Sequence, residues 1–428
     1  QNSLGNLIGF NGTQPIAGKV TVREIYGEAL VPLVADVTGI KYLGLELGAR
    51  LSNYSSVGDV ETWKAGGEWA INDYLRIRGM YNKATRAPSV FELFRAGDQN
   101  FPGYADPCRN AGGVAALNGT AVAPASAGFN FCANWIGLDP LDAGTPATLG
   151  TVAASDTQVE AFLFGNSSLD PEESETYTIG AVVQAPTPFG DFSASVDYYN
   201  IEITDYIQFP TANVIIQRCV ATLDLTSDEC LKTPRIGTGQ LGGVQIPIEN
   251  TAGGGGIQTS GVDVAVTYSL VPEDIGLPIP GSLDVSALVS YLEEWHLDGG
   301  GVNGGDYTGI ALGLGGIYPE WKSTVRTTYS YNDWQFSWQW ERIGELDDYG
   351  LSTIYPTYYP ALEAVNYHDF SIRWFATESI DATFVCENCF DKQPQDGSLS
   401  GYLAGPNVDA STYDVLGRYY RFSLRARF

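Results

Sequence analysis

At 428 residues the chain is long enough for two or three ordinary globular domains. Fifty acidic residues against 23 Lys plus Arg leave a formal charge of −27, which argues against a nucleic-acid partner, since that needs a positive footprint. Gly 50, Tyr 25 and Trp 9 beside a single Met favour a succession of strands and turns over packed helices, and no apolar run reaches the roughly 18 residues of a membrane-spanning helix.

The chain opens on QNSLGNLIGF, with neither an initiating Met nor a secretion signal, and is expected to begin after upstream sequence. Strands are predicted near 17–34, 40–55, 60–71 and 74–85. In the second, Leu43, Leu45, Leu47, Ala49 and Leu51 oppose Tyr42, Gly44, Glu46, Gly48 and Arg50. A long connection, 86–171, carries Cys108 and Cys132. Strands near 172–186 and 190–209 follow, then a second long connection, 210–253, with Cys219 and Cys230. The glycines at 253–256 lack a following Gly-Lys-Ser/Thr and read as a loop end, not a phosphate loop. Strands near 254–270 and 281–298 alternate again, Val262, Val264, Val266 and Tyr268 opposing Asp263, Ala265, Thr267 and Ser269.

After the connection 299–316 come strands near 317–332 and 333–349. Trp334, Phe336, Trp338 and Trp340 share one face of the latter, and Gln335, Ser337, Gln339 and Glu341 the other. The connection 350–360 leads to strands near 361–376 and 379–388, which reach Cys386 and Cys389. The connection 389–414 leads to the last strand, near 415–428. There Tyr420, Phe422, Leu424, Ala426 and Phe428 oppose Tyr419, Arg421, Ser423, Arg425 and Arg427.

Thirteen alternating strands with one apolar and one polar face predict an all-β, antiparallel transmembrane barrel. The apolar face meets lipid, so three tryptophans on one strand need no deep core, and the polar face lines a wet lumen. A soluble β-sheet binding protein is the alternative, and the tryptophan face speaks against it. Short turns alternate with long connections, as in outer-membrane barrels whose long loops lie outside the cell. On these strand directions Tyr268, Tyr329, Trp374 and Phe428 fall toward the periplasmic end of outward faces and Tyr420 toward the outer end. All six cysteines fall in or beside the outer connections. Their three local pairs suggest disulfides in an oxidising compartment; the rival zinc reading has ligand spacing only at Cys386 and Cys389.

The stretch YNKATRAPSVFELF, with Arg86, Ala87, Pro88, Glu92, Leu93 and Phe94, resembles a motif of the TonB-dependent outer-membrane receptors. NSSLDPEESETYTIG, with Asn166, Leu169, Pro171 and Glu172, is similar to that family's next motif. VCENCFDKQP resembles its N-L-F-D-K box, with Cys389 in place of Leu, and YDVLGRYYRFSLRARF its terminal strand. The resemblance implies that the chain is the carboxy-terminal portion of a receptor barrel, thirteen strands of about 22. The plug and the amino-terminal barrel strands would lie outside it, in the same gene product or a companion chain. It further implies a barrel-insertion signal at Tyr420, Phe422, Leu424 and Phe428, and mostly structural roles for the other motif residues. Glu172 and Glu173 are expected at an outer rim near cations.

Two histidines, with neither G-x-S-x-G nor H-E-x-x-H, argue against an enzyme. His368 is expected at an outer strand end. The implied function is energised uptake of a scarce ligand (siderophore, vitamin or saccharide) through the TonB complex, with lipopolysaccharide and phospholipid around the barrel. The alternative is a passive porin or a structural barrel component. No cofactor is expected. Acidic outer loops such as GELDDYG are candidate calcium ligands. Tyr104, Trp135, Tyr307, Tyr355, Tyr358 and Tyr359 are loop aromatics with two equal readings, stacking on a sugar or an aromatic siderophore, or packing at the lipopolysaccharide level; the sequence does not identify the ligand.

Overall fold

A computed structural model describes residues 12–108, 116–117, 120–123, 126–145, 158–187, 190–236, 240–299, 304–311, 316–348, 361–395, 409 and 411–427. The frame is one antiparallel meander. Its strands are β1 (Val22–Val37), β2 (Ile40–Tyr54), β3 (Gly58–Ala70), β4 (Leu75–Arg86), β5 (Glu172–Thr187), β6 (Gly190–Thr204) and β7 (Ile257–Leu270). It continues through β8 (Ser282–Leu297), β9 (Trp321–Tyr331), β10 (Trp334–Ile343), β11 (Val365–Thr377), β12 (Ile380–Glu387) and β13 (Tyr419–Ala426). Each strand pairs with its neighbours in chain order, a two-residue strand at Gly305–Asp306 adds to β8, and among the described residues nothing joins β1 to β13. The sheet is an open wall.

Register fixes the faces. Leu47 lies opposite Ala29 and Ala65, while Glu46 lies opposite Leu30 and Gly66. Followed across the ladder, one face carries Trp63, Ile179, Val196, Val264, Val289, Phe336, Ile372, Phe384 and Phe422. The other carries Lys64, Arg78, Thr178, Asp197, Asp263, Ser290, Arg326, Gln339 and Arg425. The outward residues are largely solvent-accessible in the isolated chain: Leu51 and Ile179 are each 57% exposed. In water such a continuous apolar face would be a liability; against hydrocarbon it is required.

Short turns occupy one rim. Gly39 and Asn332 supply positive φ (76° and 48°) for two-residue turns, and the Asn72 carboxamide oxygen accepts from the backbone N–H groups of Tyr74 and Leu75. At this rim Trp334 stacks on Trp374 with centroids 5.8 Å apart, and the Tyr329 hydroxyl donates to the Pro280 carbonyl. Paired aromatic rings with a polar tip suit the headgroup level.

Several expected boundaries shift, for local reasons. The strand expected over 190–209 ends at Thr204, because Asp205 takes φ 54° and turns the chain so that Ile207–Gln208 pairs with Glu249–Asn250. β7 starts at Ile257, since Ala252–Gly254 form a 3-10 turn with Gly253 and Gly254 at positive φ. The strand expected over 333–349 stops at Ile343; Leu346–Asp348 then leaves the wall to pair with Ile310–Ala311. Residues 350–360 and Phe428 lie outside the described residues.

Candidate functional site at the outer rim

Every long connection leaves the opposite rim, and two of them fold together into a cap with its own interior. From 87–171 come α1 (Val90–Phe94) and α2 (Ala127–Ile136); from 205–256 come α3 (Ala212–Thr222) and α4 (Asp228–Leu231). Ser89, Ser126, Thr211 and Ser227 cap the four helix starts with their hydroxyls. A three-stranded sheet joins the two connections: Ala161–Phe164 pairs antiparallel to Ala96–Asn100 and parallel to Val244–Pro247. Phe129, Phe131, Ala133, Ile215, Ile216, Val244 and Ile246 are buried in one core between them. Cys108–Cys132 staples α2 to the chain before it, and Cys219–Cys230 joins α3 to α4. The third bridge, Cys386–Cys389, closes the end of β12.

Inside the cap Arg235 makes two 2.8 Å hydrogen bonds to the two carboxylate oxygens of Asp106, with both side chains only 4% exposed. The guanidinium also lies 4.3 Å over the Trp135 ring. Desolvating a lone charge here would cost several kcal/mol, so the pair and the ring stand or fall together.

A second cluster ties the cap to the wall. Arg86, the last residue of β4, donates twice to Glu172, the first of β5, each at 2.6 Å, and reaches Glu92 at 3.0 and 3.1 Å. Glu92 closes the capping box with Ser89, and Glu172 also accepts from the Ile207 N–H at 2.8 Å. The motif residues thus converge. Pro88 and Leu93 are buried beside this clasp, Asn166 donates to the carbonyls of Glu92 and Ile248, and Leu169 packs against Ile207 and Ile248. Ala87 is half-buried between them and Pro171 precedes β5; Phe94 lies against Gly18. Burial acts to raise the Glu92 carboxyl, but Arg86 and Ser89 outweigh it and hold the group below its ordinary value. Glu173 pairs with Lys83 at 2.9 Å on the outer face.

The remaining connections form a smaller cap. Ile317–Tyr318, Ile310–Ala311, Leu346–Asp348 and Ala361–Leu362 make a four-stranded sheet over Ile343, Leu346, Val365, Tyr367 and Tyr413. The acidic GELDDYG segment therefore contributes a strand with Leu346 buried. Among the described residues no group of three or more His, Cys, Asp or Glu side chains gathers as metal ligands do. His368 accepts from Trp338 Nε1 at 3.1 Å, lies parallel to that ring and meets the edge of Phe390.

The loop aromatics singled out in the sequence divide differently. Trp135 and Tyr307 are buried, and Tyr104 packs against the cap core. Trp135 is taken inward by Thr233 and Arg235, about a hundred residues away, and Tyr307 by Trp295 and Tyr318 nearby. Tyr355, Tyr358 and Tyr359 lie outside the described residues. Trp295 and Tyr318, which no sequence pattern marks, stack at 4.6 Å with an 18° interplanar angle. Trp295 lies opposite Thr259 on the lumen side of β8. Burial, then the neighbouring Tyr206, raises the Tyr318 phenol. The alternation that marks β8 does not extend to Trp295, because a bulge at Ser260/Gly261 reverses the faces just below it.

Below the caps the wall carries cross-strand ion pairs: Lys64 with Glu46 (2.7 Å) and Glu28 (3.0 Å), and Arg78 bidentate to Asp197 (2.8 and 2.9 Å). They border a concave recess of about 760 Å³ lined by Tyr42, Glu46, Glu68, Arg78, Tyr199 and Asp263.

A lipid-facing apolar wall, a polar lumen face and folded outer caps define a transmembrane β-barrel of the outer-membrane kind. The TonB dependent receptor-like β-barrel family matches residues 2–388, and the chain belongs to that family, which places it in the Gram-negative outer membrane. Among solved structures it is similar to a double mutant of the ferric enterobactin receptor PfeA from Pseudomonas aeruginosa, at 14% identity and a TM-score of 0.56. That match covers 95% of this chain and 45% of the receptor. It is also similar to the siderophore receptor PirA from Acinetobacter baumannii (16% identity, TM-score 0.54, 96% and 46% covered). The chain spans a little under half the length of these receptors. No curated protein sequence matches it.

Proposed function

We propose that this chain is the carboxy-terminal, ligand-facing share of an energised outer-membrane receptor. The outer caps capture a scarce ligand; further strands pair with the open edges of β1 and β13; a plug fills the polar lumen and is moved by energy passed through TonB. The observation that carries this reading is the pre-ordered cap. Two connections, each about fifty residues or longer, fold on a core, two disulfides and a buried ion pair, which reduces the entropy lost on capture. The Arg86–Glu172–Glu92 clasp anchors that cap to neighbouring strands, and the outward residues of β13, Tyr420, Phe422 and Leu424, offer the insertion signal. The family membership and the barrel-like neighbours support the transport class.

The test is uptake by cells carrying the intact gene, with and without TonB. Accumulation of a ligand at nanomolar supply that disappears without TonB is expected. Uptake that persists unchanged without TonB, and that rises in proportion to concentration, would make the protein a passive porin instead.

A further inference from the structure

The outer rim is unusually poor in available positive charge. The connections 298–320 and 344–364 contain no Lys or Arg. Elsewhere in the caps Arg95, Arg218, Lys232, Arg235 and Arg418 each lie within 4.0 Å of a cap carboxylate. Among the described residues Lys392 in the caps, and Lys19, Arg23, Lys322 and Arg342 where the chain meets the rim, form no ion pair. Within the caps an anionic ligand would meet a net negative field with most of the cap cations already engaged.

What the rim does offer is a flat aromatic surface beside a small polar notch. Trp295 and Tyr318 stack at 4.6 Å, on the lumen side where β8 meets the rim, with Tyr206 next to them. Tyr206 leads directly into the notch: its carbonyl accepts from the Thr251 hydroxyl at 2.8 Å, and Thr251 in turn accepts from the Gln208 amide at 3.2 Å. The notch encloses about 170 Å³ between Gln208, Thr251, Leu297 and the Arg218–Glu249 pair. That is well below the several hundred Å³ of a site for a whole drug-sized ligand, and suits one small ring. An apolar ring face, an amide, a hydroxyl and a neutralised ion pair are the complement of a sugar ring, with its C–H faces and many hydroxyls.

We propose that the ligand captured at this rim is an uncharged, hydroxyl-rich saccharide, one ring of which lies on the open face of the Trp295–Tyr318 stack and places its hydroxyls on Gln208 and Thr251. This assignment rests on the receptor reading given above and names the ligand class for it.

The experiment is titration calorimetry of the intact detergent-purified receptor. The probes are a set of neutral glucan, xylan and mannan oligosaccharides and, separately, ferric tris-catecholate. At least one neutral oligosaccharide is expected to bind, with affinity nearly independent of salt between about 50 and 500 mM. Trp295→Ala is expected to weaken it about tenfold or more, and Gln208→Ala several-fold, with unchanged thermal unfolding. If Trp295→Ala fails to accumulate, Tyr318→Leu and Gln208→Ala carry the test. Failure of every neutral oligosaccharide to bind overturns the proposal. So does salt-sensitive binding of ferric tris-catecholate that ignores these substitutions. In either case TonB-dependent uptake can persist, so the receptor reading fails only on its own assay.

Discussion

The barrel wall and the outer cap solve opposite problems with the same residue types. In the wall, Leu47, Val264 and Phe336 point away from the protein and the charges of Lys64, Arg78 and Asp197 point toward its centre. In the cap, Phe129, Ile215 and Ile216 are turned inward, and buried charge is neutralised in pairs, Arg235 with Asp106 and Arg95 with Asp98. One region is sorted for hydrocarbon outside and the other for water outside. The change of sorting is complete by Arg86 and Glu172; just below them the outward face already carries the Lys83–Glu173 pair.

Substitutions that misplace a charge or a ring in the cap have the largest expected effect. Arg235→Ala leaves Asp106 buried and unpaired and is expected to cost about 3–5 kcal/mol of cap stability. Phe129→Ala should cost a similar 3–5 kcal/mol. Both are read from protease resistance of the cap while the wall remains folded in detergent. The double replacement Arg235→Met with Asp106→Leu should recover most of the loss; no recovery would mean that the pair does more than neutralise itself.

Next comes a direct comparison of faces in β7. Val264→Arg puts a charge toward lipid near mid-strand and should cost about 2–4 kcal/mol of barrel stability in bilayers. Ala265→Arg, one residue on, faces the lumen and should cost far less. Equal costs would break the assignment of faces. Replacing Cys108 and Cys132 with serine should lower cap stability by about 3 kcal/mol on the chain-entropy account, measured as earlier hydrogen exchange in α2.

The smallest effect is the acid response of the clasp. Because Glu92 is held below its ordinary value, its contribution is complete above about pH 4.5 and is lost as pH falls through the lowered folded value. Hydrogen exchange at α1 should therefore speed up below about pH 4 more than that of β7. Glu92→Gln should remove this difference.

The wall was legible because its code is local. VDVAVTYS states both faces of β7 residue by residue, and the turn at Asn332 is visible in YND. The alternation of short and long connections followed from the same reading, as did the three cysteine pairs. The cap was not legible, because its contacts join distant segments. Nothing near Trp135 announces that Arg235 will cover it, and nothing in VQIP announces a parallel pairing with AFLF. Asp205 ended a strand that the pattern alone carried to 209, since a single positive φ outweighs continued alternation. Trp295 was hidden by a bulge, which inverts the rule that made its neighbours readable.

The two connections that build the cap leave and re-enter the wall at directly paired positions: Arg86 sits opposite Glu172, and Ile203 opposite Ile257. Each excursion therefore begins and ends within one strand spacing, whatever its length in between. To the wall, the cap is an insertion at two closed doorways. Its size and contents are open to change without moving a single barrel register, so the outer segments are free to diversify while the part that crosses the membrane stays fixed.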